Sequence, residues 1–290
     1  MSFLFRSTGI LPVSLLLILF IGESPGRAQV CCGGDGTQSP PPGPGVLRVC
    51  VDPNNLPFSN LRGEGFENKI AELVAKELGM KLEYRFMSQR LGFFRETLKA
   101  GECELVMGAP SELEKALTSK AYYRSSYVFV SRENRHLEIK LFDDPALKTL
   151  KIGLQLAPGA TPPAEALGKR GIVDNIVGFP VSAAASATVP SSAMIIKAVV
   201  DGEIDMAIVW GPAAGYFAKQ QSTPLKITPV EDQSVAVAFD ISMAVKRGNK
   251  ELRDKLNAVI VKDQKQIEKI LDDYGIPRVA PAPVVSKGAP

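Results

Sequence analysis

A set of residues in this chain has the chemistry needed to hold a ligand by hydrogen bonds and aromatic contacts. They lie in polar or turn-rich stretches that follow apolar segments, and they are Asp52, Asn54, Asn55, Phe58, Ala109, Pro110, Thr161, Trp210 and Tyr216. Phe58 and Trp210 offer surfaces for stacking, and the carboxylate and amides offer hydrogen bonds. Thr161, just before Pro162, is expected to cap a helix whose free N–H groups form a potential anion site. Surface turns, a structural cap and core packing remain open alternatives for these residues.

The sequence does not assemble a catalytic or metal-binding set. Its single histidine, His136, lies in a polar stretch, and no Ser-His-Asp or Cys-His arrangement can be built around it. The four cysteines and one histidine lack the spacing that brings three or four metal ligands together. We therefore expect a protein that is not an enzyme, with no metal site and no cofactor of its own.

Alternating apolar segments and helical patterns predict an α/β fold. The first strands are expected at 47–51, 81–86 and 103–107, and the apolar spacing from 66 to 78 is typical of a helix that stops at Gly79. Further strands are predicted at 127–130, 150–154, 176–179, 205–210 and 241–245, and further helices at 93–98, from 161, at 193–200 and within 250–271. Such alternation favours parallel sheets, in which ligands bind at the carboxyl ends of the strands.

Composition and the N-terminus indicate an exported globular protein. Of 290 residues, 45% are hydrophobic and 22% charged, and the net charge of +3 requires neither nucleic acid nor an anionic membrane as a partner. Arg6, the apolar run 10–21 and the small residues up to Ala28 predict a signal peptide over residues 1–28. This run is too short to span a bilayer, so we expect a periplasmic protein without a membrane span. The proline- and glycine-rich residues 29–45 predict a disordered leader.

The cysteines leave two questions open. Cys31 and Cys32 raise the possibility of a lipoprotein, but the residues before Cys31 match a lipoprotein signal poorly, which disfavours lipidation. Cys50, near the end of the first strand, and Cys103, near the start of the third, could form a disulfide in an oxidising compartment. Two buried free thiols are the alternative.

The order and spacing of several motifs resemble extracellular solute-binding proteins of family 3. These motifs are Gly65-Phe66 at a helix start, the turn and strand from Lys99 to Gly108, Ala121-Tyr122-Tyr123, Asp201 to Ala207 and Met243 to Asn249. The resemblance implies a two-lobed type II periplasmic-binding-protein fold. Each lobe is then a doubly wound, mainly parallel sheet with flanking helices, and two hinge crossings join the lobes.

The same resemblance implies domain boundaries. Lobe 1 would comprise 46–124 plus 241–280 and lobe 2 would comprise 125–240, with 281–290 left as a tail. Closure about hinges near 123–126 and 238–241 is how such proteins trap a solute.

Two departures from the family pattern argue against an amino-acid ligand. Members that bind amino acids carry an arginine about eleven residues before the second tyrosine of the pair, where it clamps the ligand carboxylate. Counting back from Tyr123 reaches Glu112. Trp210 stands where those members carry an acidic residue for the ammonium group. Without either charge, a zwitterion would be left unpaired.

A narrower resemblance points to a partner protein. Residues 50–60, 65–71, 122–130, 167–175 and 209–217 resemble the MoxJ/XoxJ group, solute-binding-like proteins associated with methanol dehydrogenases and related quinoproteins. This implies an accessory role beside a pyrroloquinoline-quinone (PQQ) alcohol dehydrogenase, by binding it or assisting its activation. A substrate-binding protein of an ABC transporter, holding a non-amino-acid small molecule in the cleft, is the alternative.

Overall fold

The computed structural model describes residues 45–156, 159, 161–180 and 189–280. The predicted signal peptide, the leader up to residue 44 with Cys31 and Cys32, and the predicted tail lie outside the described residues. The strands are β1 (Val46–Val51), β2 (Asn54–Asn55), β3 (Ser59–Asn60), β4 (Lys81–Phe86), β5 (Leu105–Pro110), β6 (Leu117–Arg132), β7 (Ile152–Leu156), β8 (Ile176–Pro180), β9 (Met206–Trp210), β10 (Leu225–Pro229) and β11 (Ala238–Val245). The α-helices are α1 (Phe66–Glu77), α2 (Pro162–Lys169), α3 (Ser191–Asp201), α4 (Gly211–Lys219), α5 (Lys250–Lys262) and α6 (Gln264–Asp273).

The strands form two groups that share one long strand, and this is the two-lobed α/β fold expected from the sequence. The sheet order is β4-β1-β5-β11-β6-β9-β7-β8, with β10 also paired to β6. In the first group β1 runs parallel to β4 and β5, and in the second β7 runs parallel to β8 and β9. The inner strands β1, β5, β7 and β9 are mostly buried, as expected where helices cover both faces of a sheet, whereas the edge strands β4 and β8 are partly exposed.

The long strand β6 changes partners along its length. Its residues 117–126 pair antiparallel with β11, and its residues 127–132 pair antiparallel with β9 and β10. The change falls between Ser126 and Tyr127, beside the first expected crossing, and β11 begins at Ala238, at the second. The exact lobe boundaries remain a prediction.

Several elements differ from the sequence-based expectation. The strand expected at 127–130 is only the end of the 16-residue β6. The helix expected at 93–98 is a π-helical turn at Arg95–Lys99. By contrast, the helices expected within 250–271 are present as α5 and α6, which meet at Asp263. Neither β10 nor α4 was expected. The segment of α4 contains Gly211, Pro212 and Gly215, which are poor helix formers, and the strand conformation of β10 depends on its antiparallel partner β6.

Each strand group has its own apolar core. In the first group, α1, α5 and α6 pack on the sheet around Leu47, Phe66, Ile70, Leu105, Met243 and Leu256. In the second group, one cluster gathers around Phe142 and Leu147, and another around Ile195 and Ile196. Because the helices are anchored in these cores, the loops at the strand ends are held in place.

None of the helices in the described part of the chain combines the length and the apolarity that crossing a membrane requires.

Candidate functional site

The loop after β1 is held by hydrogen bonds from Asp52. One carboxylate oxygen accepts from the backbone N–H of Asn54 at 2.8 Å, and the other accepts from the backbone N–H of Gln89 at 2.6 Å. The side-chain amide of Asn55 donates to Oε1 of Gln89 at 3.0 Å. Asp52 therefore ties the loop after β1 to the segment after β4, and this structural task occupies both of its oxygens.

The same loop sets the start of α1. The carbonyls of Pro57 and Phe58 accept hydrogen bonds from the backbone N–H groups of Phe66 and Glu67 at 2.8 and 3.0 Å. A Cβ at Gly65 would lie only 2.0 Å from the carbonyl oxygen of Phe58, so a side chain there would push the loop off the helix. This close approach brings the first turn of α1, including Glu67, against the backbone of Phe58.

A cavity of about 200 Å³ opens where these segments meet β5 and β9. Its lining residues come from five parts of the chain and are Asn55, Phe58, Glu67, Gln89, Gly108 and Trp210. Three of them, Asn55, Phe58 and Trp210, are among the residues singled out from the sequence. A larger open groove lies on the outer face between α1 and α6, but it contains no residue of the predicted set.

Trp210 and Phe58 form the aromatic walls of the cavity. The Trp210 ring contacts Tyr127 and Phe239 edge-on, with centroids 5.4 and 5.9 Å away. The Phe58 ring lies 5.4 Å from Phe66. Both walls are partly buried and fixed by neighbouring rings, so the cavity is preformed.

Glu67 lies at the floor of the cavity and is only 3% exposed. The Tyr122 hydroxyl donates to its Oε1 at 3.4 Å, and the backbone N–H of Gly108 donates to the Tyr122 oxygen at 3.2 Å. Burial raises the pKa of Glu67 to about 8, and the hydrogen bond from Tyr122 offsets this only in part. Burial, together with the nearby Glu67, also raises the pKa of Tyr122 well above its ordinary value.

Gly108 is adapted to this buried carboxyl. Its φ is +67°, in the left-handed region that favours glycine, and a Cβ there would lie 2.2 Å from Oε1 of Glu67. A glycine at the end of β5 therefore allows Glu67 to occupy the cavity floor.

The other predicted residues lie elsewhere. Tyr216, on α4, stacks on Tyr274 with centroids 5.8 Å apart, and it does not line the cavity. Thr161 caps α2 by accepting from the backbone N–H of Ala164 at 3.4 Å, and its predicted role toward an anion remains a prediction. Asn54, in β2, and Pro110, the last residue of β5, are exposed.

Ala109 is fully buried, which removes its side chain from any ligand contact. It belongs to a small core with Cys50 and Cys103, which are joined by a disulfide with an S–S distance of 2.06 Å. This bond links Cys50, near the end of β1, to Cys103, two residues before the start of β5, so it braces β1 against the segment that leads into β5.

Sequence reasoning missed three lining residues, Glu67, Gln89 and Gly108. The sequence does contain a signal for Glu67. Glu67 shares one helix face with the apolar residues Ala71, Val74 and Leu78, at spacings of i+4, i+7 and i+11. An acidic residue on an otherwise apolar face is a candidate for a buried, perturbed carboxyl.

Among the described residues that line the cavity, Glu67 carries the only acidic or basic side chain. No lysine or arginine is among the lining residues that the structure describes, and Glu112, at the position expected for a carboxylate clamp, is exposed. Across the same described ranges, no three His, Cys, Asp or Glu side chains converge as metal ligands. The arrangement suits uncharged, planar groups better than carboxylates.

Comparison with known proteins gives the same picture as the geometry. Over 252 residues the chain is 30% identical to the protein MoxJ of Methylorubrum extorquens, and these residues cover 81% of this chain and 82% of that protein. MoxJ of Paracoccus denitrificans is 27% identical over 80% of this chain and 88% of its own length.

Among solved structures, the periplasmic binding protein XoxJ from Methylobacterium extorquens AM1 superposes with a TM-score of 0.69 at 37% identity, covering 81% of this chain and 100% of that chain. The family model for bacterial extracellular solute-binding proteins, family 3, matches residues 47–276, nearly all of the described part. With its two strand groups, its shared strand and its cavity at the strand ends, this chain belongs to the bacterial extracellular solute-binding proteins of family 3.

Proposed function

We propose that this protein is a periplasmic accessory protein of a PQQ-dependent alcohol dehydrogenase, and that it binds the dehydrogenase through the cavity formed by Phe58, Glu67 and Trp210. The observation that carries the proposal is the similarity to MoxJ over four-fifths of the chain. The sequence resemblance to the MoxJ/XoxJ group implies a quinoprotein dehydrogenase as the partner. In this proposal the protein performs no catalysis itself and assists binding or activation of the enzyme.

The chemistry of the cavity supports this use over amino-acid capture. A free amino acid brings a carboxylate and an ammonium group, and burying either charge without an opposite charge costs more than the roughly 2–7 kcal/mol of an unpaired neutral polar group. The described lining offers no cation for the carboxylate. The aromatic walls are the kind of surface on which a partner protein commonly anchors, since tryptophan and tyrosine dominate interface hot spots.

The test is a binding and activity assay with the purified dehydrogenase of the same organism. We expect association, and a change in dehydrogenase activity when this protein is added. Trp210→Ala should weaken the association by at least about tenfold, because hot-spot truncations commonly cost about 2 kcal/mol or more. Trp210→Phe should retain most of the affinity.

The matched control is Val261→Ala, which removes an apolar side chain 60% exposed on α5, away from the cavity. It should leave the association unchanged. No association combined with no change in activity would refute the proposal. Mass spectrometry of the exported protein tests the periplasmic location, with cleavage after Ala28 as the expected result.

A second candidate is a receptor for an ABC transporter, and the aromatic walls also favour it. Phe58 and Trp210 could hold a cyclic, uncharged solute between them. A thermal-shift screen with uncharged cyclic solutes separates the two, because a bound solute raises the melting temperature. A stabilising solute without dehydrogenase association would favour the receptor.

A further inference from the structure

The cavity floor carries a buried carboxyl group, that of Glu67. Glu67 is only 3% exposed, and it still lines the cavity. Its Oε1 accepts from Tyr122, whose oxygen in turn accepts from the backbone of Gly108. Among the residues that the structure describes, Oε2 has no hydrogen-bond partner.

The surroundings keep this carboxyl neutral. The titratable groups that face it are the phenols of Tyr122 and Tyr123 on β6, and the remaining lining side chains are uncharged. With a pKa raised to about 8 by burial, Glu67 holds its proton at neutral pH. Since Tyr122 donates to Oε1, the proton resides on Oε2, where it is available for donation to a bound group.

The amides at the cavity rim complement this donor. The hydrogen bond between Asn55 and Gln89 uses Nδ2 of Asn55 and Oε1 of Gln89. It leaves Oδ1 of Asn55 as an acceptor and Nε2 of Gln89 as a donor for a ligand. A donor at the floor and an acceptor at the rim match the C=O and N–H₂ of a carboxamide.

The size of the cavity restricts what enters it. Its volume of about 200 Å³ is below the roughly 300–1,000 Å³ of typical small-molecule sites. This volume suits a single small group, whereas a ligand of drug size exceeds it.

We propose that Glu67, as a neutral carboxylic acid, is the hydrogen-bond donor through which the cavity recognises an uncharged carboxamide held between Phe58 and Trp210. The proposal deepens the proposed function and rests on it, since it names the chemical group that the recognition cavity selects. An asparagine or glutamine side chain of the partner and a free amide solute share this chemistry.

The test uses the protein alone with three probes of equal shape and different charge: benzamide, benzamidinium and benzoate. Titration calorimetry should show benzamide binding most tightly at neutral pH. Its affinity should fall about tenfold between one pH unit below and one unit above the pKa of about 8, because the donor is lost on ionisation. This measurement on the unmodified protein needs no variant to fold.

The variants separate the donor from the shape of the site. Glu67→Gln keeps an N–H donor that does not titrate, so benzamide should bind with little pH dependence. Glu67→Met removes the donor and should abolish binding. Glu72→Gln, at an exposed position on the same helix, is the matched control and should behave like the unmodified protein.

Three results would overturn the proposal: benzamidinium binding more tightly with affinity that rises with pH, benzamide affinity independent of pH, or no binding by any probe. A competition experiment between benzamide and the dehydrogenase identifies the source of the amide. If benzamide displaces the dehydrogenase, the amide belongs to the partner; if the association is unaffected, the amide belongs to a free solute. Because the titration contains no dehydrogenase, its failure is distinguishable from failure of the association assay.

Discussion

The buried carboxyl of Glu67 should make the stability of the protein fall as the pH rises from about 4.5 to about 8. In the unfolded chain the carboxyl ionises at its ordinary pKa of 4.5, whereas in the folded protein burial raises its pKa to about 8. Between these values the unfolded state has lost the proton and the folded state still binds it. The free energy of unfolding therefore decreases with pH, and this contribution is fully present only below pH 4.5.

The magnitude follows from the two pKa values. Stability falls by about 1.4 kcal/mol for each pH unit in this window, which gives about 5 kcal/mol in total and about 3 kcal/mol at pH 7. Such a loss is a large part of the roughly 5–15 kcal/mol that stabilises a typical domain. Other groups titrate as well, so the informative quantity is the difference between the unmodified protein and Glu67→Gln.

Urea unfolding measured at several pH values from 4.5 to 9 provides the assay. Glutamine has nearly the same shape and does not titrate, so the stability of Glu67→Gln relative to the unmodified protein should rise across the window by about 5 kcal/mol. Glu72→Gln, on the exposed face of α1, controls for the loss of one acidic residue. Stability profiles of the unmodified protein and Glu67→Gln that run parallel across this range would refute the reasoning.

Three further predictions concern the elements around the cavity. Peptide mapping of the unreduced protein should find Cys50 linked to Cys103, and separate free thiols would contradict this. Replacing both cysteines by alanine should lower the free energy of unfolding in urea by about 4 kcal/mol, because the bond closes a loop with a sequence separation of 53. Gly108→Ala should lower the free energy of unfolding by more than the ~1–2 kcal/mol that an alanine in the left-handed conformation costs. In a Glu67→Ala background the loss should be smaller, because the clash with that carboxyl is then absent. Equal losses in both backgrounds would count against the contact. Trp210 is the single tryptophan, so its fluorescence should become less accessible to acrylamide when benzamide fills the cavity, and unchanged quenching would place the probe elsewhere.

Elements with strong local patterns could be predicted from the sequence. The strand expected at 81–86 is β4 with the same bounds, and the helix expected from 66 to 78 is α1, which ends one residue earlier. Apolar periodicity is a local property, so it is visible without knowledge of the fold. The short β10 and the extension of β6 were missed because their strand conformation depends on antiparallel partners that lie far away in the sequence.

The candidate site shows the same division. The sequence by itself determined the family, the loop after β1, and the presence of Phe58 and Trp210 beside strand ends. Only the tertiary structure decided that these two rings face one cavity, that Ala109 and Tyr216 do not line it, and that Glu67 lies at its floor. Residue types and local spacing reveal which groups are present, but the cavity arises where segments distant in sequence pack together. The pKa of Glu67 depends on burial and on Tyr122, and both exist only after that packing.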